Sequence, residues 1–449
     1  MPRFEYKEGS SSKFWEVDRK DAVLTTRWGR IGAEGQEKTQ KFEHTYEARQ
    51  AYQKQVLEKT KKGYQRVKPK DTAPAPKTNP ELEEAILRAP NDADGYLVYA
   101  DWLQAQGDPR GELIALQHAL SRARGDEVTK LKRKVAALQK EHQGTLLGVG
   151  LTAMQAEKAL QVGWRWGFIH TARVTSPDYD ADADFDIVDT LTMLLRHPSG
   201  TFLQDLTLGI PDREGDADYT ELARVLTKWT PKALTRLFLG DFIFPDESEL
   251  SWVRLGNLTN VLKALPQLTE LRLRGGDVRL GALELPELQR FTLESAGLPK
   301  AALQSITGAK WPKLEHLEVW FGSENHGGRF RGKDVQPLLD ATGLPKLKHL
   351  GLCNVAFSDS LTPLLAKSKV LKQLETLDLS KGTLMDADAE VLAANASAFK
   401  HLQKLDVSRN QLTSKGIKLL AKLCREVVTA RQREIYDDGE DGRYVAIGE

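Results

Sequence analysis

Eight short segments constrain this chain more than any other feature. They read FLQDLTL, ALTRLFL, QLTELRL, ELQRFTL, KLEHLEV, KLKHLGL, QLETLDL and HLQKLDV, anchored at Leu203, Leu234, Leu268, Leu288, Leu314, Leu347, Leu374 and Leu402. The anchors are 31, 34, 20, 26, 33, 27 and 28 residues apart. Each segment places apolar residues at its first, fourth and sixth shared positions. A strand with that pattern turns its leucines inward and its intervening residues outward. One such unit cannot bury its own apolar face, so the units must stack side by side.

This LxxLxL pattern resembles the core of a leucine-rich repeat. Only the last unit, Leu402 to Leu412, carries the ladder asparagine, Asn410; elsewhere that position holds Val355, Gly382, Ala296 or Gly322. Uneven spacing and missing asparagines predict an irregular α/β solenoid, a horseshoe. Spacers such as SDSLTPLLAKSKV and SKGIKLLAKL predict helices on its convex side. GFIHTARV (167–174) reads as an entry strand, and RYVAIGE as cover for the last edge. On the concave face, Phe238, Arg272, Arg274, Glu318, Trp320, Asp378 and Asp406 point outward. Basic residues in the middle, acidic ones later and aromatics between suit a protein partner, since nucleic acid wants a continuous basic stripe.

At 449 residues the chain exceeds one ordinary core, which fits a multidomain α+β protein. Its 64 Lys+Arg against 63 Asp+Glu leave a net charge of +1, which excludes a general polyanion binder. Two cysteines, Cys353 and Cys424, are too few for a disulfide framework or a cysteine zinc site, and fit a reducing cytoplasm. The opening MPRFEYKEGSSSKF lacks an apolar h-region, so no signal peptide is expected. No run approaches the length of a membrane span, and no membrane partner is expected.

Residues 1–67 have a different texture, with 15 Lys/Arg against 10 Asp/Glu. Phe14-Trp15-Glu16-Val17 and Val23 to Trp28 read as strands, with Lys38 to Phe42 a third. From Thr45 as N-cap, Ala48, Ala51, Tyr52, Val56 and Leu57 share one helical face. The stretch FWEV…VLTTRWGRIGAEGQ…FEHTYEARQAYQKQVLEKTKKGY resembles the WGR domain, with its namesake Trp28-Gly29-Arg30. That family includes the module with which poly(ADP-ribose) polymerases grip DNA ends, and bacterial proteins related to molybdate-metabolism regulators. The resemblance implies that Trp28 packs on sugar at a strand terminus and that Arg30 makes phosphate or interdomain contacts. Arg27 and Lys38 are the neighbouring cations. The bland alternative leaves Trp28 filling the sheet and Arg30 in an internal ion pair. The polymerases' catalytic domain has no counterpart here.

VKPKDTAPAPKTN (67–79), with three prolines, reads as an extended linker at 68–79. Residues 80–142 read as helices, with Asn79-Pro80 and Asp108-Pro109 as cap-and-N1 pairs. LVYADWLQAQGDPRGELIALQ resembles a companion domain found beside repeat arrays in bacteria with large genomes. Asp101 and Arg110 are expected to form a buried pair there. Residues 143–199 are then the cap and entry to the repeats, 200–430 the repeats, and 431–449 a terminal cap or tail. The order of modules looks bacterial.

Signatures of catalysis are missing: there is no GxxxxGK[ST], HExxH, GxSxG or CxxC. Gly148-Val-Gly150-Leu-Thr-Ala153 matches GxGxxA without a βαβ setting, and reads as a turn. His316 and His349 occupy equivalent positions of neighbouring repeats, near Glu315 and Glu318; the set could serve as a metal pair or an acid/base site, but a solvated polar face is the commoner explanation. The acidic SPDYDADADFD (176–186) lacks the Gly and Glu of an EF-hand loop. The expectation is a non-catalytic cytoplasmic adaptor without metal or cofactor, its head on a DNA end or nick and its repeats on a protein. The alternative is a scaffold that binds proteins only.

Overall fold

The computed structural model describes residues 3–67, 77–178, 186–213, 217–434 and 443–448. Five strands form the first sheet: β1 (Arg3–Glu8), β2 (Ser11–Lys20), β3 (Val23–Arg30), β4 (Gln36–Lys41) and β5 (Gln65–Val67), in the order β4-β3-β2-β1-β5. Helix α1 (Thr45–Lys61) packs Ala48, Ala51, Tyr52 and Val56 against a core of Phe4, Trp15, Val17 and Leu24. His44, rather than Thr45, is the N-cap; the side chains of Thr45 and Leu57 lie outside the described residues. The acidic loop at 179–185, most of the linker and residues 435–442 also lie outside them.

Five helices follow: α2 (Pro80–Arg88), α3 (Ala93–Ala105), α4 (Pro109–Arg122), α5 (Asp126–Glu141) and α6 (Gln143–Ala156). Asn79 accepts hydrogen bonds from the Glu81 and Leu82 amides, and Asp108 from that of Arg110, so both prolines sit where no amide is needed. The GxGxxA stretch lies inside α6, where Gly148 at φ 74° breaks the helix. Arg110 is buried, but its partner is Asp108 at 2.8 Å, not the exposed Asp101. Asp108 thus caps α4 and neutralises a guanidinium that also lies 5.4 Å from the Phe168 ring centre. These helices are docked rather than free: Tyr96 and Tyr99 share a core with Phe168 and Phe202 of the next region.

The repeats build an 11-stranded sheet. After β6 (Leu160–Arg165) and β7 (Phe168–Val174) comes α7 (Ile187–Arg196), then β8 (Asp205–Gly209), β9 (Ala217–Asp218), β10 (Arg236–Asp241), β11 (Val253–Asn257), β12 (Glu270–Arg274), β13 (Gly276–Arg279), β14 (Arg290–Glu294), β15 (His316–Gly322), β16 (His349–Val355), β17 (Thr376–Asp378), β18 (Lys404–Asp406) and β19 (Glu426–Val428). Its order is β19-β18-β17-β16-β15-β14-β12-β10-β8-β7-β6, parallel throughout except for the β6–β7 hairpin.

All eight anchor leucines are buried; each contributes about 2–3 kcal/mol in transfer free energy. The polar residue after each anchor has its own task. The Gln204 carbonyl accepts the amides of Thr235 and Arg236, that of Thr235 accepts those of Thr269 and Glu270, and the relay repeats through Thr269, Gln289, Glu315, Lys348 and Glu375. Asn410 is buried, donating to the Leu379 and Val407 carbonyls and accepting from the Leu384 amide.

Two expectations change. Spacers of the later units carry helices such as Ser358–Leu365 and Ser414–Leu420, but those of the early units add a second sheet, β13-β11-β9. Its strands bury Val253, Leu255 and Val278, an alternation too brief to stand out in sequence. The terminal segment does not cover the last edge. It runs back across the carboxyl ends of β15 to β17, where the Ile447 amide donates to Asn354 Oδ1 at 3.1 Å and Asn354 Nδ2 to the Ile447 carbonyl at 2.6 Å. Asn354 there satisfies a peptide as a neighbouring strand would.

Candidate nucleic-acid and protein interfaces

In β3, Leu24, Thr26, Trp28 and Arg30 face α1, while Thr25, Arg27 and Gly29 face away. Leu24 and Thr26 lie under the helix, but the strand runs past it, and Trp28 emerges 36% exposed. Its cross-strand partner Trp15 is buried. The glycines around it answer to Phe14, which is buried on the opposite face. A Cβ on Gly35, at φ 80°, would sit 2.6 Å from the Phe14 ring and 2.8 Å from the Trp28 carbonyl oxygen.

Cations gather on the Trp28 side. Lys13 lies opposite Arg30 in register, and Lys59 of α1 stands 5.3 Å from the Trp15 ring centre. Burial, then the charges of Lys62 and Lys13, lower the pKa of Lys59. Lys38 lies opposite Thr26 on the same side, exposed. Arg27 does not belong to this group. It points the other way, its Nε 2.7 Å from Glu16, a buried carboxylate that also binds Arg3 at 2.9 Å. Lys13, Lys59 and Lys62 escaped the sequence reading; the helix end EKTKKGY was the only signal for Lys59 and Lys62, and Lys13 gave none.

On the repeat sheet, register puts Phe238, Arg272, Thr292, Glu318, Gly351, Asp378 and Asp406 in one row across neighbouring strands. Arg274 and Trp320 lie two residues further along their strands. These residues spend much of their polarity on one another. Arg272 and Arg274 clamp the buried Glu294 at 2.6 and 2.7 Å, and Arg272 lies 4.4 Å from the Phe238 ring centre. Asp378 and Asp406 accept the amides of Ser380 and Ser408 at 2.8 and 2.9 Å, closing the turns after their strands. Asp205, Thr207, Arg236, Phe238, Glu270 and Arg272 line an open hollow of about 230 Å³.

A second cluster centres on Glu318. Burial alone would raise its pKa, but the nearby His316, the hydrogen bond from Trp320 and the charge of Lys381 bring it down to about 2. The Trp320 indole donates to it at 2.7 Å, and Lys381 lies 4.6 Å from that ring centre. His316 and His349 stack with centres 4.0 Å apart. Burial, then the neighbouring His316, lowers the pKa of His349 to about 4. Glu315 stands apart, paired with Lys348 at 3.2 Å.

Residues 3–71 match the family model of the WGR domain, and residues 400–421 that of a leucine-rich repeat. The chain therefore carries both modules. Among solved structures, it is similar in fold to a Bacteroides fragilis protein over 100% of this chain and 99% of that one, with 22% identity and a TM-score of 0.56. An internalin from Listeria monocytogenes aligns with 56% of this chain and 60% of its own, at 19% identity and a TM-score of 0.31. None of the curated proteins compared matches the chain. No helix among the described residues is long and apolar enough to cross a membrane.

Proposed function

We propose that this WGR-bearing chain is a non-catalytic adaptor of the bacterial cytoplasm, whose head binds a DNA end or nick and whose repeats hold a protein. In this reading residues 1–67 are the head, 68–79 the linker, 80–142 the helical companion, 143–199 the entry cap, 200–430 the repeats and 431–449 the tail. The repeat sheet lines the concave face of a horseshoe solenoid.

One observation carries the DNA reading: Trp28 stands exposed on the side of the sheet that also bears Lys13, Arg30 and Lys59. An aromatic face stacks on a base or ribose exposed at a break, contributing about 1–3 kcal/mol. Surrounding cations bind phosphate and release counterions, which makes the affinity fall steeply with salt. Trp28 and Arg30 are the central contacts, with Lys13, Lys38, Lys59 and Lys62 around them. Arg27, tied to Glu16, serves the fold.

For the repeats, the hollow beside Phe238 offers both signs of charge and an aromatic wall, which fits a polar peptide segment better than a polyanion. Fluorescence anisotropy with blunt, nicked and closed-hairpin DNA at two salt concentrations tests the head. Salt-sensitive preference for breaks, weakened about tenfold or more in folded Trp28→Ala and Arg30→Ala variants, is expected. No binding at low salt would leave the scaffold reading in its place, and equal binding to all three DNAs would make the head a general DNA binder with no preference for breaks.

A further inference from the structure

We propose that His316, Glu318 and His349 form a binding site for a divalent transition metal of the Zn²⁺ class on the face of the repeat sheet. The proposal requires neither DNA nor a protein partner.

The register of β15 and β16 sets His316 directly beside His349, and strand alternation puts Glu318 on the same face. One ligand atom from each of the three lies within 4.8 Å of the others. Stacked histidines on a sheet are unremarkable by themselves. Three further features single these out.

First, His349 Nε2 is buried and has no hydrogen-bond partner. A buried imidazole nitrogen left unmatched has a cost that a metal bond would remove. Second, Glu318 has a carboxylate oxygen 3.6 Å from His316 Nε2, and its other oxygen accepts from the Trp320 indole. Such an outer hydrogen bond is how proteins fix a ligating carboxylate. Third, the strand neighbour opposite Glu318 is Gly351, and a Cβ there would come 2.8 Å from Glu318 Cγ. Glu318 thus leans across the one position of β16 that carries no side chain.

The donor set matches the chemistry. Two imidazoles and one carboxylate suit Zn²⁺, and leave a position for water or a partner's ligand. Tetrahedral Zn²⁺ needs its donors about 3.3 Å apart. Binding requires the stacked imidazoles, now 11° from parallel, to turn out of their stack so that both ring planes meet at the ion.

The test uses the full-length, untagged chain, stripped with chelator and titrated calorimetrically with Zn²⁺. Co²⁺ absorption and Trp fluorescence run alongside. One equivalent is expected to bind with Co²⁺ bands of a low-coordinate site, and to be lost in His349→Ala and Glu318→Gln. Trp320→Phe should weaken binding about tenfold without abolishing it, and Gly351→Ala should weaken it by displacing Glu318. Should His349→Ala fail to fold, Glu318→Gln decides, since it preserves the shape of the side chain. No saturable binding by the native chain overturns the site, as does an equivalent that survives in folded Glu318→Gln and His316→Ala variants.

Discussion

The two sheets treat their outward polar residues in opposite ways. On the repeat sheet, parallel neighbours put like positions in line, and charges close in sequence register find partners: Arg272 and Arg274 share Glu294, and Glu318 takes His316 and Trp320. On the head, the end of β3 runs past α1, and Trp28 and Arg30 are left exposed. Closely spaced strands about 4.8 Å apart favour self-pairing, whereas a strand that outruns its covering helix presents side chains to solvent. The head's exposed groups are therefore better placed to meet an outside ligand than the repeat face's arginines.

On the repeat side the largest effect should come from breaking the self-pairing. Glu294→Ala leaves Arg274 and part of Arg272 without their countercharge, Arg274 being mostly buried. A loss of about 3 kcal/mol in urea unfolding is expected. A loss below about 1 kcal/mol would mean that water serves these arginines as well as Glu294 does, and that they are available to a partner.

Next is Gly35. At φ 80°, with Phe14 and the Trp28 carbonyl in the path of any Cβ, Gly35→Ala should destabilise the head by about 2 kcal/mol. Thermal unfolding followed by near-ultraviolet circular dichroism reports it. An unchanged melt would show that the turn relaxes, and that the glycine-rich run is not there to seat Phe14.

How far these arrangements were legible in the sequence follows from the range of the interactions. The LxxLxL leucines announced themselves because burial depends on spacing within one strand, and the spacing repeats. The second sheet did not, because β9, β11 and β13 are two to five residues long. Asp101 was chosen as the partner of Arg110 on residue type; Asp108, as N-cap, was nearer and already aimed at that turn. Trp28 and Arg30 came from the WGR resemblance, whereas Lys59 and Lys62 join them only when α1 folds over the sheet. Glu294 was readable in principle: aligning ELRLR with RFTLE sets Arg274 beside it. Asn354 gave no hint, since its partner Ile447 lies 93 residues away.

A pH scan sharpens the comparison on the repeat side. The imidazole of His349 falls from 6.5 to about 4 on folding, so between these values the unfolded chain holds more protons and stability falls as pH falls. The carboxyl of Glu318 falls from 4.5 to about 2, so its stabilisation is complete above 4.5 and is lost toward 2. Both slopes have the same sign and together cover the range from 6.5 to about 2. Each should amount to roughly 1–2 kcal/mol after relaxation of the site. Urea midpoints of the native chain and His349→Gln separate them: the variant should lose the upper part of the slope and keep the lower. Superimposable profiles would show that His349 does not carry the upper part of the slope.

The smallest expected change in stability is the most telling. Trp15 and Trp28 are cross-strand partners, yet only Trp15 is buried in the core. Trp15→Ala should cost about 4 kcal/mol, as a large core truncation does. Trp28→Ala should cost less than about 1 kcal/mol, because much of its ring already faces water. A Trp that contributes little to stability and keeps much of its ring in water is available for contact with something else. Chemical denaturation of both variants measures the contrast directly. A Trp28→Ala penalty near that of Trp15→Ala would make Trp28 a core residue at the sheet's end and remove the head's main claim to a DNA platform, whatever the salt dependence of binding.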